Sequence, residues 1–187
     1  FWKKMVQEDK SVPLQAAPTG VNRFTSGITA MVIDGPWNLS TFLSDPKFKD
    51  KFGVAPLPQK KTQATVVGGE GVAVFSNTKS PQEGYDYLVH LTCSDFVQTF
   101  WENWITIPPQ PEFKDFYANN SEYGPYIQVF SDQMEYSRTR PFTLSWPQIE
   151  NTLGIDLQSY MFDKEDDAQV ALDKAAEDVN KILADEK

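Results

Sequence analysis

The most informative stretch of this chain reads Gly27-Ile28-Thr29-Ala30-Met31-Val32-Ile33-Asp34-Gly35-Pro36-Trp37. Thr29 to Ile33 is apolar, rich in β-branched residues and too short for a helix, which predicts a buried strand. We expect the strand to end at Asp34-Gly35-Pro36, because glycine permits unusual backbone angles and proline cannot extend a strand ladder. Trp37 is therefore predicted to lie at the carboxyl end of a strand, where α/β folds place their ligands.

Two interpretations of Trp37 follow from this segment. An indole held on a fixed turn is suited to stacking against a flat apolar face, such as that of a sugar ring. An indole in the same place can instead fill a hydrophobic core. The segment by itself favours neither interpretation.

The composition is that of an acidic globular chain of 187 residues, with 40% hydrophobic and 23% charged residues. This length fits one ordinary domain or two small ones. The formal net charge is -9 and no Lys/Arg-rich stripe is present, which argues against nucleic acid as a partner. The apolar runs are too short to span a membrane. Because the chain begins at Phe1 without a leader, we expect a processed or truncated product.

The single cysteine and the single histidine restrict the chemistry that the chain can support. Cys93 cannot form an internal disulfide, and it lies three positions after His90 on one predicted helix. No third group is in place to orient this pair, so we expect surface or packing roles instead of nucleophilic catalysis. The sequence predicts no metal site, no cofactor and no catalytic residues.

A second distinctive segment reads Val66-Val67-Gly68-Gly69-Glu70-Gly71-Val72-Ala73-Val74-Phe75. Val72 to Phe75 is predicted to form a strand, and the glycines allow a ligand to approach the backbone closely or support a bulge. The glycine spacing does not match a nucleotide-binding fingerprint. Glu70 is either a hydrogen-bond acceptor for the hydroxyls of a ligand or a solvated carboxylate of a hairpin.

The rest of the chain is predicted to be mostly helical. Ser80, Pro81 and Glu83 predict a helix start with a capping box. Apolar periodicity and proline positions predict a loop over 12–20, a short strand at Phe52–Pro58 and a loop at Arg138–Pro147. The remaining predicted helices are Trp2–Gln7, Val21–Thr25, Trp37–Leu43, a segment capped by Ser94-Asp95 that reaches Trp104, Pro125–Glu135, Pro147–Phe162 and Asp163–Lys187.

Several aromatic residues fall in predicted loops beside glycine or proline, and not all of them can be core residues. These residues are Trp37, Trp104, Phe142 and Trp146. Aromatic rings together with acidic and amide side chains suit a carbohydrate ligand. A glycoside hydrolase also combines aromatic residues with two carboxylates. A fragment of a glycan-hydrolysing enzyme that uses Glu70 and a second carboxylate is therefore the alternative to a binding protein.

Four segments taken together resemble the C-terminal half of bacterial extracellular solute-binding proteins of ABC sugar importers, family 1, of the maltose/maltodextrin-binding type. They occur in the order Gly27–Trp37, Gly53–Pro58, Gly68–Val74 with Ser80–Leu88, and Val179–Leu183. The resemblance implies an α/β fold, periplasmic-binding-protein-like type II, of which this chain is the C-terminal half only, helix-rich with few short strands. It implies that about 1–70 and 137–187 belong mainly to one lobe, and that about 71–136 form helices of the other.

The resemblance also implies a function. The chain is expected to be a carbohydrate-binding subunit without enzyme activity, which captures an oligosaccharide, maltodextrin-like or related, and delivers it to a membrane permease. The implied sugar-binding residues are Trp37, Glu70, Trp146 and Arg140. The implied location is extracellular, as a cell-surface lipoprotein or a periplasmic protein.

The family members implied by this resemblance are about twice as long as the chain. We therefore expect the missing N-terminal half of the same protein to be a partner. Apolar surface is expected to be exposed where its elements belong, and such surface favours dimers or exchanged elements.

Overall fold

The computed structural model describes residues 1–13, 19, 22–162 and 167–186. The chain divides into two units, one formed by Phe1–Asn22 with Pro141–Lys187 and the other by Arg23–Arg140. The assignment of residues to the two lobes of a longer protein stays a prediction. The elements are α1 (Trp2–Gln7), a 3-10 helix (Pro36–Asn38), α2 (Leu39–Ser44), β1 (Thr65–Val67), α3 (Pro81–Cys93), α4 (Phe96–Trp104), a second 3-10 helix (Pro111–Phe113), α5 (Gly124–Met134), β2 (Ser137–Thr139), α6 (Trp146–Phe162) and α7 (Ala168–Asp185).

The smaller unit is built from helices, with α6 packed against both α1 and α7. Its buried apolar residues come from all three helices: Val6, Ile149 and Ala175. Lys174 of α7 donates to Asp156 of α6 at 2.5 Å and to Asp178 at 2.8 Å. The hydrogen bond to Asp156 is the largest cause that raises the pKa of Lys174 above its ordinary value. This ion pair joins α7 to α6, with the Asp156 carboxylate largely buried and the Lys174 side chain 61% exposed.

The core of the larger unit joins the helices α2, α4 and α5 with the loop before α5. Its buried members are Leu39, Leu43, Ile105, Tyr117 and Ile127. The Tyr117 hydroxyl donates to the carbonyl of Trp101 at 2.6 Å and lies 3.2 Å from that of Thr106. Burial is the main cause that raises the pKa of Tyr117, so the hydroxyl stays protonated and remains a donor.

One buried residue of this core has an unfavourable backbone conformation. Ile105 follows α4 in the left-handed region, with φ 50° and ψ 53°, and its side chain is 1% exposed. A left-handed conformation costs a residue with a Cβ about 1–2 kcal/mol, and β-branched residues rarely adopt it. The free energy gained by burying the isoleucine side chain exceeds this cost, which explains why the strained conformation persists.

Two short parallel strands form the sheet of the larger unit. β1 pairs with β2 in a register that places Thr65 opposite Ser137 and Val67 opposite Thr139. The predicted character of the chain, helix-rich with few short strands, is therefore confirmed. β2 lies partly inside the region that was predicted to be a loop, and β1 lies just before the strand that was predicted in this part of the chain.

Three predicted strands are wrong as strands of this structure. Thr29–Ile33, Phe52–Pro58 and Val72–Phe75 have no regular secondary structure. Residues 30–33 and 68–74, called here the unpaired segments, make no backbone hydrogen bond with any described residue. A strand exists only when a neighbouring strand takes up its N–H and C=O groups, and no such neighbour lies beside these segments in the described part of the chain.

The helix predictions were more accurate, with two corrections. Residues 23–27 form turns instead of the predicted helix at Val21–Thr25, and Gly27 takes a positive φ of 75°. Ser80 is the N-cap of α3, but its side chain makes no capping hydrogen bond, so the predicted capping box is not formed. The parts of the predicted loop, of the short helix and of the terminal helix at positions 14–18, 20, 21, 163–166 and 187 lie outside the described residues.

Candidate functional site

Trp37 is carried by a turn that the Asp34 carboxylate closes. One carboxylate oxygen accepts from the Gly35 N–H at 2.8 Å, and the other accepts from the Asn38 side-chain amide at 2.6 Å. Pro36 begins the 3-10 helix that follows, where its fixed φ is favourable and its missing N–H is not needed. Trp37 comes next and is 57% exposed. The side chain is therefore accessible to a ligand and does not fill a core.

Gly35 provides the surface on which the indole of Trp37 rests. A Cβ built on Gly35 would lie 2.1 Å from both Cη2 and Cζ3 of Trp37, far inside van der Waals contact. Only a glycine at this position lets the ring lie over the backbone. The sequence indicated a turn at Gly35-Pro36, but it did not indicate that the glycine positions the ring. A small residue two places before an exposed tryptophan was the signal that could have suggested it.

Glu70 and Arg140 lie beyond the same edge of the sheet. β1 and β2 run parallel, so their carboxyl ends meet at one edge. Glu70 lies three positions after the end of β1, and Arg140 directly follows β2. Both side chains are exposed. An acceptor carboxylate and a donor guanidinium after neighbouring parallel strands are the complementary groups needed to bind hydroxyls.

Helix α5 relates this sheet edge to the turn of Trp37. α5 packs against β1 and also against the 3-10 helix that carries Trp37. α5 therefore supports both the 3-10 helix that carries Trp37 and the strand β1 that precedes Glu70, while Arg140 follows the paired strand β2. The structure records no hydrogen bond or ring contact between Trp37 and Glu70. Trp146, the fourth predicted residue, belongs to the smaller unit.

Trp146 is the first residue of α6 and is half-buried. Its indole N–H is buried and has no hydrogen-bond acceptor among the described residues. Such a group costs free energy unless water or a ligand accepts from it, so its orientation is not explained by the local packing.

The described residues of each unit form a shallow groove. The first, of about 410 Å³, lies between residues 72–78 and α3, where Val74 packs against Gly84. The second, of about 500 Å³, runs along α6 beside Glu150, Asn151 and Gln158. None of the four predicted sugar-binding residues lines either of these two grooves.

The described ranges contain neither a cluster suited to a metal ion nor a helix suited to crossing a membrane. No group of three or more histidine, cysteine, aspartate or glutamate residues in those ranges could hold a metal ion. None of the helices in the described part of the chain has the length and the apolar character needed to cross a bilayer.

The family described as "Bacterial extracellular solute-binding protein" matches residues 1–125. No curated protein matches the chain.

Solved structures give matches that extend over most of the chain. The sugar-binding protein MalE from the phytopathogen Xanthomonas citri is 21% identical with a TM-score of 0.77, and the match covers 98% of this chain and 47% of that one. The cyclic alpha-maltosyl-1,6-maltose binding protein from Arthrobacter globiformis is also 21% identical, with a TM-score of 0.62, and covers 86% of this chain and 45% of that one. This chain therefore shares their fold and spans about half of their length.

Proposed function

This chain belongs to the family of bacterial extracellular solute-binding proteins, and we propose that it is the carbohydrate-binding subunit of an ABC importer. Its role is to capture an oligosaccharide, maltodextrin-like or related, outside the cell and to deliver it to the membrane permease. The location that suits this role is the periplasm or the cell surface, with a lipid anchor as one means of attachment.

The observation that supports this proposal best is the presentation of Trp37. Its ring rests on Gly35, is more than half exposed, and is held by a turn that the Asp34 carboxylate closes. A rigid, exposed indole stacks on the apolar face of a sugar ring and loses little conformational entropy on binding. Glu70 and Arg140 are proposed to bind sugar hydroxyls, and Trp146 is proposed to stack on another sugar unit.

We propose that sugar binding requires the longer protein of which this chain is one half. The match to MalE covers only 47% of that protein. The unpaired segments expose Met31 (86%) and Ile33 (73%), which are residues typical of a buried strand. Strands and helices from the other half would cover them, and sugar would bind between two lobes that close around it. The full-length protein below means this chain together with that half.

The unpaired segments also predict how the chain behaves alone. Exposed apolar residues and free backbone groups favour pairing between copies, so we expect dimers or larger species of the isolated chain. Sedimentation at increasing concentration tests this, and a monomer throughout the range would contradict it.

Calorimetry on the full-length protein tests the proposed function directly. We expect a panel of malto-, fructo-, raffinose-type and xylo-oligosaccharides to include at least one ligand. Trp37→Ala should weaken its binding by about tenfold or more, as expected for the loss of a central aromatic contact. The matched control is Trp2→Ala, because Trp2 is also 57% exposed but lies on α1 in the smaller unit. Equal losses in the two variants would remove the special role of Trp37.

The enzyme alternative is separated from the binding protein by turnover. A glycan hydrolase needs a carboxylic acid with a raised pKa beside a second carboxylate, and burial is the usual means of raising it. Glu70 is exposed instead. Incubation of the full-length protein with each oligosaccharide should raise the melting temperature without producing new reducing ends. Steady release of reducing ends would establish hydrolysis and overturn the proposal.

A further inference from the structure

A single carboxylate organises the turn that leads into α6. Glu186, which follows α7, accepts through Oε2 from the Thr143 hydroxyl at 2.5 Å and through Oε1 from the Leu144 N–H at 2.8 Å. The Thr143 hydroxyl oxygen in turn accepts from the Ser145 N–H at 3.1 Å. One side chain from the C-terminal end of the described chain thus takes up two consecutive groups of a turn that is 42 positions or more away in sequence.

The side chains of this turn fall into two sets that differ in solvent exposure. Thr143 and Ser145 are partly buried on the side of the carboxylate. Phe142 and Leu144 alternate with them and are 98% and 89% exposed. The hydrogen bonds to Glu186 hold the backbone next to Phe142, whose exposed ring is therefore accessible to a ligand.

The same turn sets the start of α6 and therefore the position of Trp146. The N–H of Trp146 donates to the carbonyl of Thr143 at 3.3 Å, and the N–H of Ile149 donates to the carbonyl of Ser145 at 3.0 Å. A shift of Thr143 would move the first turn of α6 and the half-buried indole with it.

We propose that Glu186 is a positioning residue for sugar binding, which holds the turn Phe142–Ser145 so that Phe142 and Trp146 present their rings to the apolar faces of a bound oligosaccharide. This inference rests on the proposed function. It assigns a role to the residue that follows α7, a region in which no sugar-binding residue was predicted.

The chemistry of Glu186 suits this role. Hydrogen bonds to an ionised carboxylate are shorter and stronger than those between neutral groups. The Thr143 hydroxyl is the largest cause that holds the pKa of Glu186 below its ordinary value, so the acceptor is charged at neutral pH. A glutamine of the same shape would lose the charge and would present an N–H₂ donor to one of the two donor groups it now faces.

The test compares three variants in the full-length protein. Glu186→Ala removes both hydrogen bonds to the turn, and Glu186→Gln keeps the shape of the side chain without its charge. Thr143→Val removes the hydroxyl that donates to Glu186. The matched control is Asp185→Asn, which neutralises the neighbouring exposed carboxylate that has no partner among the described residues. Sugar affinity is measured by calorimetry, and the turn is followed without sugar by amide hydrogen exchange at Leu144 and Ser145.

We expect Glu186→Ala to weaken sugar binding by about fivefold to fiftyfold, which is the range expected for loss of a charge-assisted hydrogen bond that orders the site. Exchange at Leu144 and Ser145 should accelerate in the same variant, while the melting temperature changes little. Glu186→Gln should lie between the wild type and Glu186→Ala. The double variant with Thr143→Val should add nothing to Glu186→Ala, because both substitutions break one connected set of bonds.

The outcomes separate this inference from the proposed function. Wild-type protein that binds no sugar overturns both. Wild-type protein that binds sugar, with unchanged affinity in Glu186→Ala despite faster exchange in the turn, overturns only the positioning role. A loss of affinity in Asp185→Asn equal to that in Glu186→Ala would also overturn it, since the effect would then be one of general charge.

Discussion

The helical core of the larger unit and residues 30–33 of its unpaired segments both contain large apolar side chains. These side chains are buried in the core but exposed in residues 30–33. Leu39 and Ile105 are 2% and 1% exposed, whereas Met31 and Ile33 are 86% and 73% exposed. A helix forms its backbone hydrogen bonds within itself and needs cover on one face only. A strand needs a neighbouring strand to pair with, and a parallel sheet is normally covered on both faces. The larger unit can therefore complete its helical core while its unpaired segments have no strand partners among the described residues.

The largest expected effect tests this contrast directly. Leu39→Ala should destabilise the isolated chain by about 2–5 kcal/mol, whereas Met31→Ala, at an exposed position, should change its stability by less than about 0.5 kcal/mol. Urea unfolding of both variants measures the difference. In the full-length protein we expect Met31→Ala to become costly, because we propose that the other half buries Met31. An unchanged small effect there would show that residues 30–33 stay exposed and would break the comparison.

The next largest effect is expected at Gly35, which lies between the unpaired residues 30–33 and helix α2. Gly35→Ala places a methyl group 2.1 Å from ring carbons of Trp37, so the indole must move away from its position over residue 35. We expect sugar affinity of the full-length protein to fall by about tenfold or more, similar to the loss in Trp37→Ala. The control is Gly53→Ala, since a Cβ at Gly53 meets no atom within 4 Å. Full affinity in Gly35→Ala would show that the position of the ring seen here is not the one that binds sugar.

A smaller effect is expected in the helical core of the larger unit, at Ile105. Both Ile105→Ala and Ile105→Gly lose the buried side chain, but only the glycine variant also relieves the left-handed backbone. We expect the glycine variant to be the more stable of the two by about 1 kcal/mol, the reverse of the usual order of these residues. Thermal or urea unfolding of the pair measures it. A more stable alanine variant would show that Ile105 is not held at positive φ in solution.

The smallest effect extends the comparison to the helical smaller unit. The pKa of Glu186 is lowered in the folded chain from its ordinary value of 4.5, first by the Thr143 hydroxyl and then by the Leu144 N–H. A lowered folded pKa gives stability that is present above the unfolded value and is lost as the pH falls through the folded one. Wild-type protein should therefore melt slightly higher than Glu186→Gln at pH 7, and the two should converge below the folded pKa. A constant difference at all pH values would contradict the ionised clamp.

The sequence predicted the helices far better than the strands, for a reason visible in particular residues. Pro125–Glu135 and Pro147–Phe162 were predicted within a residue of α5 and α6, because periodicity and proline positions report local hydrogen bonding. Thr29–Ile33 has the composition of a strand, but composition does not supply the neighbouring strand that would pair with it.

The candidate site divides in the same way. The sequence indicated that Trp37 follows a turn and that Glu70 lies among glycines. The sequence did not indicate that the Trp37 ring lies over Gly35, because no local pattern encodes that ring orientation. It also did not indicate that β1 pairs with β2 or that Glu186 binds Thr143, because these residues lie far apart along the chain.

By itself the sequence determined the helices, the turn before Trp37 and, through four ordered segments, the resemblance to solute-binding proteins. All of these are properties of residues close together in the chain. Only the tertiary structure decided which strands pair, which apolar residues stay exposed and which carboxylate holds the turn before α6. Those outcomes depend on contacts between distant residues, and a contact exists only when both partners are present and the entropy of bringing them together is offset.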